Sequence, residues 1–395
     1  MTATYVADVT VFDGRAATKR AGVLIDGDRI AWTGSHRRAP KAAADAQRVD
    51  GAGRTLTPGL IDCHVHLCFD GGADFVNEAR VSEATAALKC VANAERHLAA
   101  GVTTVRDLGC LGAVACDVAR AIDEGRVRGA RVIASGRAIT ITGGHGWNTF
   151  ARQADGAVGV RQAVREQLRA GARSIKIVAT GGVLTPGVSF DFTAFTFEEV
   201  QAAVEEAHSW GVPITAHAIG EQGIDHCVRA GIDSIEHGAE MTADTARAMK
   251  AKGICHVPTI SALDGIVGNP DVVPAYAVDK GRAVMALAQD AFKRALRAGV
   301  RHVCGTDAGT PFNPHGGAPR EVIRMIEWGL APAKGLEAAT ANAAALLRLP
   351  EVGVVAEGAK ADLAMWPGNP VDDPQVLLSP LAVWKGGELV SGSVA

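Results

Sequence analysis

Pro58-Gly59-Leu60-Ile61-Asp62-Cys63-His64-Val65-His66-Leu67 is the stretch on which the reading of this chain turns. A Pro-Gly break opens it, an apolar run follows, and it closes in His-x-His. Alternate residues of a strand share a face, so His64 and His66 point the same way about one strand repeat apart. Neutral imidazole suits zinc and its neighbours, and two of them on one rigid strand end make half of a metal site. Two surface histidines would read the same, so the other ligands have to be sought elsewhere.

Outward from this stretch, residues 58–350 alternate apolar strands with amphipathic helical stretches. The strands fall near 59–65, 102–108, 131–135, 174–179, 213–217, 232–236, 255–259 and 301–305. Helical patterns lie between them, among them Ser82 to Ala100, Gly159 to Ala170, Phe197 to Trp210 and Tyr276 to Ala298. Gly101, Gly171, Gly211, Gly231 and Gly299 each follow a helical stretch, as a left-handed stop residue does. Eight strands alternating with helices predict an α/β fold, a (β/α)8 TIM-like barrel. An open doubly wound sheet is the alternative, but no Gly-x-Gly-x-x-Gly follows the first strand.

The two ends read differently. Val6 to Val11 alternates, and Gly22 to Ile30 reads as strand, Asp-Gly turn and strand. Residues 354–358, 361–366 and 383–390 return to the same idiom. The expected organisation is therefore a small β-sandwich built from both termini, 1–57 plus 351–395, around a barrel at 58–350.

The composition is that of an ordinary globular chain. It has 395 residues, 48% of them hydrophobic, which is ample for a core of this size. A net charge of -3 with no long basic run gives no reason to expect nucleic acid or a membrane surface as partner. No signal peptide is read at the N-terminus. The eight cysteines stand singly with no Cys-x-x-Cys, as core fillers in a reducing, cytoplasmic setting would.

Barrel chemistry sits at the C-terminal ends of the strands. Five strand ends carry metal-competent groups: His64 and His66, then Lys176 within Ser174 to Gly182, His217, His237, and Asp307 within Cys304 to Gly309. Each alone has a bland reading as a hydrogen-bonded core residue, a snorkelling lysine or a turn former. Five such accidents in one barrel are improbable, and together they predict a metal site.

The set resembles the amidohydrolase superfamily. Pro58 to His66, Lys176 with Ala179-Thr180-Gly181-Gly182, His237-Gly238, and Gly305 to Gly316 are similar to a branch holding Xaa-Pro and other Xaa-amino-acid dipeptidases. Ochratoxin-hydrolysing amidases and some carbamate or phenylurea hydrolases look similar too. The resemblance implies two divalent metal ions, with zinc expected. His64, His66 and Asp307 would hold one, His217 and His237 the other, and Lys176 would bridge them as N6-carboxylysine. A bare ammonium beside two dications is strongly disfavoured, whereas a carbamate offsets their charge. A metal-bridging hydroxide would be the nucleophile. Asp307 would move its proton to the leaving amine, and His145, in the loop Ile141 to Trp147, would stabilise the oxyanion.

Gly220 stands where the adenosine-type deaminases place glutamate, and Lys176 argues against imidazolonepropionase-like chemistry. The expectation is a hydrolase that cleaves an amide bond of a small molecule, a dipeptide or N-acyl amino acid. A carbamate, urea or ochratoxin-like amide is the alternative, and relatives of this kind self-associate. A carboxylate-bearing substrate needs a cation or hydroxyl, for which Arg106, Arg152 and Tyr276 are the candidates. Trp147, Phe150, Phe190, Phe192 and Phe195 are candidates for an apolar pocket. His36, His97 and His208 read as surface residues, and His315 as shaping the pocket.

Overall fold

The computed structural model describes residues 3–393. Both ends of the chain enter one eight-stranded sheet. Its order is Glu388–Gly392, Ala382–Lys385, Leu363–Trp366, Thr55–Pro58, Thr4–Phe12, Ala17–Asp26 and Arg29–Ser35, with Gln47–Asp50 beside Thr4–Phe12. Alternating apolar residues, among them Val6, Val9, Val23, Ile25, Leu363 and Trp384, fill the core of this β-sandwich. Residues 354–358, expected as a strand, form none. Thr55–Pro58 pairs antiparallel with Leu363–Trp366 and runs through Gly59 straight into the first barrel strand, Leu60–Val65.

The barrel follows in parallel register. Leu60–Val65 pairs with Val102–Asp107, which pairs with Arg131–Ala134. Ile175–Val178, Ile214–Ala218, Ser234–His237 and Cys255–Val257 continue in order. Apart from Arg131 and His237, which are partly exposed, their residues are buried, as in strands covered on both faces, and the polar ones among them include His64, Lys176 and His217. Helices pack outside them. Ser82 opens Glu83–Ala99 by accepting the Thr85 N–H, and Thr196 with Glu199 forms a capping box on Phe197–Ser209. Gly231 and Gly299 end their helices at φ 84° and 74°, as the sequence predicts.

The eighth stave departs from expectation. Residues 301–305 form no regular strand but a single bridge, His302 to His256, and Ala308 just beyond bridges to Val65. The backbone here is drawn to other partners: Cys304 N–H donates to Ala338 O at 3.0 Å, and just beyond the segment Thr306 turns to Asp62. Its carboxylate accepts the Thr306 N–H at 3.0 Å and the Thr306 hydroxyl at 2.7 Å, so a side chain takes the place of a ladder bond. The segment still closes the barrel, with Asp307 N–H donating to His64 O at 2.7 Å. Gly305 allows the approach, since a Cβ there would lie 2.4 Å from Val257 and 2.9 Å from the His64 Cβ.

Candidate metal centre

All seven predicted site residues, His64, His66, His145, Lys176, His217, His237 and Asp307, line a single cavity at the C-terminal mouth of the barrel. Its space of about 710 Å³, open mouth included, suits a small-molecule ligand. The rings of His64 and His66 lie 5.4 Å apart, those of His64 and His237 5.4 Å, those of His217 and His237 4.5 Å, and those of His145 and His217 4.7 Å. Lys176 Nζ approaches His64 Nε2 at 3.4 Å. His237 and Asp307 hold left-handed backbone at φ 69° and 59°, as does Thr259 at 53°, and such strain gathers at functional sites.

Four of these imidazoles have one nitrogen occupied by an oxygen acceptor. His64 Nδ1 donates to Glu236 Oε2 at 2.8 Å, His66 Nδ1 to Gly109 O at 2.9 Å, and His217 Nε2 to Gly181 O at 2.8 Å. His237 Nδ1 donates to Thr259 Oγ1 at 2.7 Å, because that hydroxyl gives its own hydrogen to Pro258 O. The neutral ring then presents a bare lone pair from its other nitrogen. Burial pushes the His64, His217 and His237 imidazolium forms well below their usual range, so those three rings stay neutral.

The result is a conflict that hydrogen bonding does not resolve. Asp307 Oδ1 lies 3.2 Å from both His64 Nε2 and His66 Nε2, and it is buried without a hydrogen-bond partner. Three acceptors converge with no proton between them, and their atoms lie within 4.8 Å of one another. A divalent cation satisfies such a set, so the residues fit a metal. Burial lowers the Lys176 ammonium to about 8, with Arg106 adding to the effect, so loss of its proton near neutrality comes easily. Burial acting on Asp307 is outweighed by the groups around it, the Lys176 ammonium among them, and its carboxyl sits below the usual range.

His145 stands on the loop between Ala138–Thr140 and Ala151–Gln153, a parallel pair that sequence reasoning did not find. Its Nδ1 lies 2.7 Å from Thr185 Oγ1. Burial takes its imidazolium down to about 3, so the ring acts as a neutral group. Gly182 is tightly placed here, since a Cβ on it would meet the His145 ring at 2.5 Å.

Beneath the mouth lies a buried network that the sequence did not reveal. Glu236 Oε1 accepts from Arg106 Nη2 at 2.9 Å, from Ser234 Oγ at 2.9 Å and from Thr215 Oγ1. Arg106 Nε donates to Cys63 O at 2.6 Å, and both Arg106 and Glu236 are 0% exposed. The signal available was a pair of opposite charges inside two strands placed within the barrel wall.

Several candidates are corrected. Arg106 is sealed below the site, and Arg152 pairs with Glu166 at 2.9 Å and does not line the cavity. The Tyr276 hydroxyl donates to Leu184 O at 3.0 Å. None of the three faces the cavity as a carboxylate partner. Of the aromatic candidates only Phe150 lines it; Trp147 and Phe192 are exposed. His97, expected at the surface, is buried, and His315 lies behind Phe69 rather than in the cavity, with its Nδ1 3.0 Å from His97 Nε2.

A parallel barrel carrying a histidine-rich, metal-competent mouth, with a β-sandwich drawn from both chain ends, defines a class of barrel hydrolases. The chain belongs to the amidohydrolase family, whose pattern matches residues 55–390. It is 33% identical to ochratoxinase of Aspergillus niger over 410 aligned positions, covering 95% of this chain and 83% of that protein. The crystal structure of that ochratoxinase superposes with a TM-score of 0.90 at 30% identity, covering 99% of this chain and 96% of the other. A crystal structure of a Xaa-Pro dipeptidase with methionine bound in its active site gives 0.91 at 31% identity, covering 98% and 99%. The protein is a hydrolase acting on amide bonds, with the (β/α)8 barrel and β-sandwich the sequence predicts.

Proposed function

We propose that the protein cleaves a C–N bond next to a carbonyl in a small molecule, using a pair of divalent metal ions, zinc first. His64, His66 and Asp307 would hold one ion and His217 and His237 the other. Lys176, carbamylated to N6-carboxylysine, would be shared between them. What carries the reading is the meeting of Asp307 Oδ1 with two imidazole lone pairs at 3.2 Å. When bound, the ions acidify a water and polarise the carbonyl.

The chain's own groups supply the rest. Asp307 takes the proton of the attacking water and gives it to the leaving nitrogen, which otherwise departs as an unstable anion. His145 donates from Nε2 to the carbonyl oxygen as charge develops there. The Thr185 hydroxyl can donate to Nδ1, which leaves the hydrogen on Nε2. Glu236 and Thr259 orient the rings of His64 and His237. Dipeptides, N-acyl amino acids, carbamates and ureas all offer such a bond, and what divides them is the charge beside it. We also take residues 58–350 as the barrel unit and 1–57 plus 351–395 as the sandwich unit.

The test is metal analysis with turnover. Purified protein should carry two divalent ions per chain on this proposal. A chelator should abolish hydrolysis of amides, and zinc should restore it. With labelled bicarbonate, a carbamate carbon should appear in the NMR spectrum and vanish in Lys176→Ala. Hydrolysis undiminished after complete metal removal would overturn the reading.

A further inference from the structure

We propose that this site, resting on the hydrolase reading above, takes a neutral apolar amide, carbamate or urea. It discriminates against substrates with a free carboxylate beside the scissile bond. The cavity wall beyond the histidines is made by Phe150, Leu184, Ile219, Leu263, Ile266 and Val284. Ile219 is notable, because it stands two residues past His217 and faces the same cavity. Among the described residues that line the cavity, Lys176 is the only lysine or arginine, and it belongs to the proposed metal set.

Apart from His145, whose Nε2 is given to the scissile carbonyl, the nearby cations, hydroxyl and helix end considered for an anion already have internal partners. Arg106 is closed off beneath the site on Glu236 and Cys63 O. The Lys280 ammonium has three donors, and all three are engaged, by Gly182 O at 3.2 Å, Thr185 O at 2.8 Å and Val188 O at 2.6 Å. The Tyr276 hydroxyl donates to Leu184 O. The helix Ile260–Val267 begins at the cavity wall, and its N-terminus is a natural anion seat. There the Glu321 carboxylate already accepts the Ile260 and Ser261 N–H groups at 2.8 Å and the Ser261 hydroxyl at 2.6 Å. A substrate carboxylate set in this wall, away from the proposed ions, would lose its hydration against aliphatic side chains and meet no lysine or arginine with a free donor, which is strongly unfavourable. An alkyl or aryl group in the same place gains from burial.

The experiment compares N-butyryl-phenethylamine with N-butyryl-phenylalanine, which differ by the carboxylate alone, on zinc-loaded full-length protein. The neutral amide should have the higher kcat/KM, by about 100-fold. Equal rates, or a preference for the acid, overturn the proposal. Leu263→Arg, which places a cation in the wall, should narrow the gap to about 10-fold; a folded variant with an unchanged gap also overturns it. If neither compound is hydrolysed, nor any other amide, the hydrolase reading fails on its own. Calorimetric binding of the same pair, with and without chelator, still decides the charge preference. Tighter binding of the neutral compound in the chelator-treated full chain supports the proposal, and tighter binding of the acid there sinks it.

Discussion

Glu236 Oε2 receives the Nδ1 hydrogen of His64 at 2.8 Å, and both side chains are buried. Because Arg106 and two hydroxyls hold the other carboxylate oxygen, Glu236 cannot turn away from the ring. It therefore fixes which His64 nitrogen faces the cavity. Glu236→Gln should weaken metal affinity by about 10- to 100-fold, because the amide is a poorer acceptor and can present its NH2 instead. Chelator competition would measure this, and unaltered affinity would argue that His64 is oriented by packing alone.

Lys176→Ala should remove both a ligand and the charge that balances the ions. The expected outcome is loss of metal together with a fall in kcat/KM of at least about 1000-fold. A short carboxylic acid added at high concentration should restore part of the activity by filling the gap. Wild-type turnover in Lys176→Ala would refute the carbamate.

His145→Ala should lower kcat by about 10²- to 10³-fold while both ions stay bound, as loss of a group that stabilises developing charge does. Thr185→Val should produce a smaller fall with little change in KM, since the ring loses its Nδ1 partner, and Thr185→Ser should recover most of it. Metal loss in His145→Ala would instead make this histidine a ligand.

Lys280 holds three carbonyls of the loop that carries Leu184 and Thr185. Lys280→Met strands those oxygens and lets the loop move. KM should rise by about 10-fold, more than kcat falls, and the 181–188 segment should become sensitive to limited proteolysis. A change in kcat alone would point to His145 rather than to the wall.

The buried pair His97 and His315 predicts a pH effect on stability. Burial lowers His315 to about 4 from 6.5 and takes His97 well below 6.5, the neighbouring ring adding to it. Asp70 acts on His315 in the opposite sense, and Arg96 and His66 in the same sense. The unfolded chain therefore binds protons first as pH falls. The stability is complete above pH 6.5 and is lost between there and about pH 4, by on the order of 3 kcal/mol for His315. In His315→Gln the slope of denaturation midpoint against pH should be shallower across that window. An unchanged slope would show that other groups govern acid unfolding.

The parts of this molecule that sequence reveals are those with a local pattern. His-x-His at a strand end, histidines closing two later strands and an aspartate before Ala-Gly can each be read from their neighbours. Glycines after helical stretches gave the barrel its period for the same reason. The parts that stayed hidden depend on closure. Glu236 and Arg106 are far apart in sequence, and their partnership exists only once the strands surround a common interior. Arg106 consequently read as a substrate clamp. Lys280 looks like any polar residue of a long helix until the loop is seen against it. His97 read as exposed because its helix is amphipathic, and only the return of His315 covers it. The eighth stave read as a strand from its place in the alternation, but its Cys304 N–H turns to Ala338 O, and Thr306 just beyond it turns to Asp62.

The pairing of Thr55–Pro58 with Leu363–Trp366 sets an order of assembly. A ribosome delivers the strand that carries His64 early and the strand that braces its base only after nearly the whole barrel has emerged. Until then the leading histidines hang from an unfinished edge. Metallation should thus follow the emergence of Leu363–Trp366, and a chain cut short before Leu363 should reach the cell's proteases instead of its metal pool.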